Sequence, residues 1–281
     1  MTDLTLHNGD QSLALSVHGP LDGAPVLLLH GLTMSRDTWD ETLAHLSDRY
    51  RCWTLDLRGH GHSGRAASYG FADHLSDVRA VLAAIGKPTV LVGHSLGGCI
   101  AGALAQEPAL GIRGVLLEDP PWYLGEPAEF ERSGFGPMFA GLMGMVGQLR
   151  AGNAPLDVWL GALAQGPSPA GGVGADWHDA RQLLSHASAL QRLDPACCAG
   201  VERLFAALDT ARPLGCPALV VQADGTQGAA FLNGHELRFA ASNPAARVVR
   251  YAGCGHVTHG TRGFDLRFAG ELGGFLNGLD G

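Results

Sequence analysis

The chain has 281 residues, enough for one large core or a core carrying a smaller inserted unit. With 46% apolar and 16% charged residues it reads as globular, and a formal charge of −8 argues against nucleic acid, whose phosphates require a basic stripe. No stretch approaches the roughly 18 unbroken apolar residues of a membrane span, and Met1–His7 lacks the basic-then-apolar layout of a signal peptide, so a cytoplasmic protein is expected.

Short apolar runs alternate with amphipathic stretches through the first half, which predicts a mainly parallel sheet covered by helices. Leu13–Val17 reads as an early strand. Pro25–His30 is a continuous apolar run suited to a strand buried on both faces. A helix over Thr38–Leu46 and a strand over Arg51–Leu57 follow. Between Phe71 and Ile85 the apolar positions Phe71, Leu75, Val78, Leu82 and Ile85 fall on one helical stripe. Thr89–Gly93 reads as a strand and Leu96–Ala105 as a helix of small and apolar residues, which belongs at the centre of the domain. Gly114–Asp119 is a further strand.

The alternation then stops. Residues 120–213 carry Pro120-Pro121, three methionines (Met138, Met143, Met145) and the Gly/Pro-rich stretch Gly166–Gly174, which reads as a flexible loop. Helical patches such as Val201–Leu208 occur, but no strand–helix alternation does. Strand patterns return at Pro217–Ala223 and Arg247–Tyr251, and the chain ends in an amphipathic segment over Leu266–Leu276. The expected organisation is a core of residues 1–119 and 214–281 with an inserted lid of residues 120–213.

The single lysine, Lys87, precedes Pro88 in a turn and reads as a solvated charge. The six cysteines have no CxxC spacing, and Cys197 and Cys198 are adjacent, so reduced thiols are expected. The thirteen histidines form no set with helical ligand spacing, so neither a metal nor another cofactor is expected.

The chemistry concentrates at Gly93-His94-Ser95-Leu96-Gly97, a G-x-S-x-G motif that joins a strand directly to a small-residue helix. A serine on so tight a turn adopts a strained backbone, and the flanking glycines relieve the clashes. The N–H groups at the helix start then point towards the hydroxyl. At these residues the chain resembles the α/β-hydrolase superfamily. Three further matches agree: His30-Gly31-Leu32 after a buried strand, Asp56–Gly64 after the next, and Gly253-Cys-Gly-His256 after the last. The resemblance implies the α/β-hydrolase fold, with Ser95 as nucleophile and His256 as its base, 161 residues later (256−95). It also implies an oxyanion hole formed by the backbone N–H groups of Leu32 and Leu96.

The acid is less direct. The family usually keeps it after the strand that here reads Ala218–Gln222, where Ala223-Asp224-Gly225-Thr226 puts a threonine at the usual acid position. Threonine holds no charge against an imidazolium. Some members, among them certain haloalkane dehalogenases and the zearalenone lactone hydrolases, place the acid after the preceding strand. Asp119 occupies that position, 24 residues after Ser95 (119−95), so the order of preference is Asp119, then Asp224, then Glu118. Strand alternation sends Glu118 to the opposite side, where an arginine is one available partner. His259 reads as a surface or supporting histidine, and His94 as packing.

The implied reaction is hydrolysis of an ester or lactone, with a bulky apolar small molecule as substrate and Gly31, Met34 and Trp122 beside it. Two alternatives use the same scaffold. One is carbon–carbon bond hydrolysis or cofactor-free perhydrolysis; the other is a non-catalytic ligand receptor.

Overall fold

The computed structural model describes residues 1–280. Eight strands form one sheet: β1 (Thr2–Asn8), β2 (Gln11–His18), β3 (Pro25–Leu29), β4 (Arg51–Leu55), β5 (Thr89–His94), β6 (Ile112–Glu118), β7 (Ala218–Gln222) and β8 (Arg247–Arg250). Their order is β1-β2-β4-β3-β5-β6-β7-β8. The β1–β2 and β2–β4 pairs are antiparallel and every other pair is parallel.

The apolar runs alternate between two cores. Leu27, Leu29, Leu91, Val115, Leu117 and Val220 face one side, while Val26, Leu28, Val90, Leu116, Leu219 and Val221 face the other. That two-sided burial is why these strands carry no polar alternation. Helices α1 (Asp40–Leu46), α2 (Phe71–Ile85) and α3 (Leu96–Ala105) follow in chain order. Val78 and Leu82 of α2 and all the large residues of α3 join the first core, whereas Leu43 and Leu46 of α1 join the second. Every residue of α3 is buried, and its glycines permit that closeness: a Cβ on Gly102 would lie 2.2 Å from the Trp122 ring.

Between β6 and β7 the chain folds only into helices: α4 (Pro127–Ser133), α5 (Phe135–Ala151), α6 (Leu156–Gln165), α7 (Gly174–Trp177), α8 (Ala180–Arg192) and α9 (Val201–Ala206). The Gly/Pro-rich stretch is closed on itself by a Pro167–Val173 bridge. Two helices complete the fold, α10 (His235–Ser242) on the first face and α11 (Asp265–Leu279) on the second. No helix of the described residues is long and apolar enough to cross a membrane.

Candidate active site

The carboxyl ends of β3, β5 and β6 and the loop after β8 converge on one point. Ser95 closes the turn from β5 into α3 with φ 53° and ψ −117°, outside the ordinary regions for a residue with a side chain. The turn tolerates this because its neighbours lack side chains. A Cβ on Gly93 would lie 2.2 Å from the Gly97 carbonyl oxygen, and one on Gly97 would lie 2.2 Å from that of Leu29. The Ser95 N–H donates to the Glu118 carbonyl at 2.9 Å, which pins the turn to the end of β6. Ser95 is 5% exposed.

Asp119 follows β6 with φ 41°, another strained position, and is fully buried. Its carboxylate is surrounded by donors. Oδ1 accepts from the Ala223 N–H at 3.1 Å and the Phe231 N–H at 3.2 Å, and Oδ2 accepts from the Ala230 N–H at 2.7 Å. His256 Nδ1 donates to the same Oδ2 at 2.6 Å. Four donors on one buried carboxylate satisfy its lone pairs, and Nε2 of His256 makes no hydrogen bond among the described residues. Hydrogen bonds among the described residues do not include one between the Ser95 hydroxyl and His256; such bonds commonly tighten only around substrate.

The other two acids lie elsewhere. Asp224 caps a 3-10 turn: Oδ1 accepts from the Thr226 N–H and hydroxyl at 2.9 and 2.8 Å, and Oδ2 from the Gly253 N–H at 2.7 Å. These backbone hydrogen bonds lower its pKa. Glu118 points to the opposite face of the sheet, as alternation requires, but its partner is not an arginine. Oε1 accepts from the Thr258 hydroxyl at 2.7 Å and the His259 N–H at 2.8 Å, and Oε2 accepts from His259 Nδ1 at 2.7 Å. Burial opposes its charge, yet the His259 imidazole and these hydrogen bonds hold the carboxyl down at about 2.

His259 is therefore no surface residue: it is 1% exposed and stacks on Trp39 with ring centroids 4.2 Å apart. Nor does His94 only pack. Burial holds its pKa well below the usual imidazole range, so Nε2–H of the neutral ring donates to the His256 carbonyl at 3.1 Å. The Glu118-Asp119 doublet and the His256-x-x-His259 spacing are the only traces of this pairing in the chain, and neither identifies the partners.

The loop after β3 lies against the Ser95 turn. A Cβ on Gly31 would sit 2.5 Å from His94 Nδ1 and 3.1 Å from Ser95 Cβ, so only glycine allows this approach. The backbone N–H groups of Leu32 and Leu96 donate to no protein acceptor among the described residues. Met34 is 8% exposed, and its sulfur lies 3.8 Å from the Thr38 hydroxyl oxygen. Trp122, expected beside a pocket, is instead wholly enclosed between Gly102 and Phe239, and presents no surface to solvent. Phe135, at the start of α5, meets His256 edge-on with centroids 5.3 Å apart. His186 of α8 reaches Thr33 beside the Leu32 loop at 3.4 Å. Phe135 is one of the aromatic residues of the expected lid, whereas His186 did not stand out in the sequence.

Residues 26–265 match the family model described as the alpha/beta hydrolase family. A stretch of 80 residues is 42% identical to the pimeloyl-(acyl-carrier protein) methyl ester esterase of Aliivibrio fischeri (strain MJ11), covering 28% of this chain and 30% of that protein. The chain thus spans less than a third of the length of that curated relative. Two solved structures align over almost the full length. A hydrolase from Pseudomonas aeruginosa PA01 gives a TM-score of 0.73 at 23% identity, covering 98% of each chain. The enol-lactonase from Burkholderia xenovorans LB400 gives 0.69 at 19% identity, covering 98% of this chain and 100% of that one. At these identities the likeness is one of fold.

Proposed function

Because this chain belongs to the alpha/beta hydrolase family, we propose that it is a serine hydrolase cleaving a carboxylic ester or lactone through an acyl-enzyme on Ser95. The observation that carries this reading is the 2.6 Å contact of His256 with the buried Asp119, beside a serine held in a strained strand-to-helix turn.

Each step follows from those positions. The Ser95 oxygen attacks the substrate carbonyl carbon while Nε2 of His256 takes its proton. Asp119 keeps the Nδ1 proton in place and stabilises the imidazolium. The negative oxygen of the tetrahedral intermediate accepts from the free N–H groups of Leu32 and Leu96, each worth roughly 3 kcal/mol at the transition state. Collapse breaks the carbon–alkoxide bond, and the alkoxide takes the proton from His256. Water then gives a proton to His256 and attacks the acyl carbon, and Ser95 leaves with that proton restored. No metal or other cofactor takes part.

The helices from α4 to α9 act as a lid in this reading, with Phe135 against the base. Half-buried Met138, Phe139, Leu142 and Met143 on α5 favour an apolar substrate with a bulky acyl or ring portion. Gly31, Leu32 and Met34 border the reacting carbonyl.

The test is turnover of p-nitrophenyl acetate and butyrate and of a series of γ- and δ-lactones of increasing bulk. Burst release of p-nitrophenol, with loss of turnover in Ser95→Ala, is expected. Binding of the same compounds without turnover would favour a receptor and overturn the reading.

A further inference from the structure

The loop that carries His256 is clasped from two sides by residues that the acyl-transfer chemistry does not use. On the sheet side stands Glu118, fully buried, with three hydrogen bonds into this loop from Thr258 and His259. On the other side stands the helical insertion. With its Nδ1 proton directed to Glu118, His259 turns Nε2 to the Thr38 hydroxyl at 2.8 Å. Thr38 in turn meets Gln182 of α8 twice: its hydroxyl lies 3.5 Å from Oε1, and its carbonyl accepts from Nε2 at 3.1 Å.

The insertion holds the same loop at three more points. His178 Nδ1 lies 2.8 Å from the Gly260 carbonyl, and the Arg262 N–H donates to the Trp177 carbonyl at 2.7 Å. The Gln182 side chain packs so close to Gly260 that a Cβ there would lie 2.7 Å from its Cδ. Residues 177–182 and 258–262 are therefore one contact surface.

We infer that Glu118 and His259 are positioning residues for the base: the chain Glu118–His259–Thr38–Gln182 ties the His256 loop to β6 and to helix α8, so that seating of the insertion sets the aim of His256. Adjacent acids at the carboxyl end of β6 thus hold two histidines three residues apart. Asp119 holds the ring that moves the proton, and Glu118 holds the loop beneath it. A loop that also depended on the insertion couples substrate enclosure to base geometry, because displacing α8 removes the Gln182 and His178 contacts together.

This inference rests on the proposed function, and its test separates the two. Kinetics on p-nitrophenyl butyrate are measured for the wild type, Thr38→Val, Thr38→Ser, Gln182→Leu and the Thr38→Val/Gln182→Leu pair, with Tm for each. Thr38→Val keeps the side-chain volume and removes the link. It is expected to lower kcat about ten-fold with KM within about two-fold, because a misaimed base slows the proton transfer rather than substrate binding. Thr38→Ser recovers most of that loss, and the double variant loses less than the product of the two single losses, since both act on the same loop. Glu118→Gln gives a kcat loss of the same kind; should it fail to fold, the Thr38 variants still decide. Wild-type protein that turns over no ester would sink the proposed function. An active wild type with a Thr38→Val variant that loses Tm but keeps kcat would overturn the positioning role alone.

Discussion

Asp119 and His256, 137 residues apart in the chain, meet at 2.6 Å across the end of the sheet, and no other carboxylate approaches that ring within hydrogen-bonding distance among the described residues. The nearest rival in the chain, Asp224, spends both oxygens on the turn it caps and on Gly253. On the proposed mechanism Asp119→Asn removes the charge opposite the imidazolium, and it is expected to lower kcat by about 10³- to 10⁴-fold. Asp224→Asn is expected to stay within a few-fold of wild type while lowering Tm by a few degrees. Steady-state kinetics of the two variants check the pair, and the reverse order of effects contradicts the assignment.

Gly31 offers a steric test of the Leu32 loop. The methyl group of Gly31→Ala would collide with His94 Nδ1 at 2.5 Å, so either the loop or the Ser95 turn must shift. Displacement of that kind is expected to cut kcat ten-fold or more while the fold persists. Far-ultraviolet circular dichroism alongside kinetics reads both. Unchanged kcat would show that the loop lies too far from the reacting atoms to matter.

Acid stability follows from buried imidazoles. Burial lowers His30 to about 4, and burial with a neighbouring histidine lowers His60 and His74 each to about 3, all from an ordinary 6.5. These groups are neutral when folded but bind protons when unfolded below 6.5. Their sites therefore contribute full stability above pH 6.5 and lose it as pH falls towards 4 and 3, by on the order of 1 kcal/mol per pH unit for each. Both nitrogens of His74 also lack a partner, so His74→Leu is expected to hold stability at pH 7 and flatten the acid decline. Urea titrations at pH 7, 6 and 5 measure it; an unchanged slope for the variant would refute the account.

Arg58 and Asp77 form a buried two-armed pair at 2.7 and 2.9 Å that anchors the loop after β4 to α2. Asp77→Asn leaves the guanidinium only the longer 3.5 Å contact with Asp73 and is expected to cost about 3 kcal/mol in urea unfolding. A cost below 1 kcal/mol would mean that solvent reaches the pair.

The sequence revealed most where burial is two-sided or periodic. Helices Phe71–Ile85 and Leu96–Ala105 have the bounds that their apolar spacing predicts, because one buries a regular stripe and the other buries every side. Strand β1 left no such signal: it is an edge strand, and most of its residues are exposed. Helix α10, eight residues long with two of them fully buried, is too short for periodicity to stand out. At the site, Asp119 was reachable by counting from Ser95, since strand and helix lengths fix that distance. The Glu118–His259 pair was not, because its members lie 141 residues apart and a loop conformation brings them together. Trp122 misled for a related reason: an aromatic beside Pro120-Pro121 fits a pocket rim, but the glycine at position 102 opens a slot for it in the core.

The central claim, a serine made reactive by this histidine, is tested most directly by covalent labelling. Wild-type protein is treated with diisopropyl fluorophosphate, and intact mass and peptide mapping follow. The account predicts one adduct per chain on Ser95, absent from Ser95→Ala and slowed by orders of magnitude in His256→Ala. An unlabelled wild type, or an adduct that persists in Ser95→Ala, would contradict it.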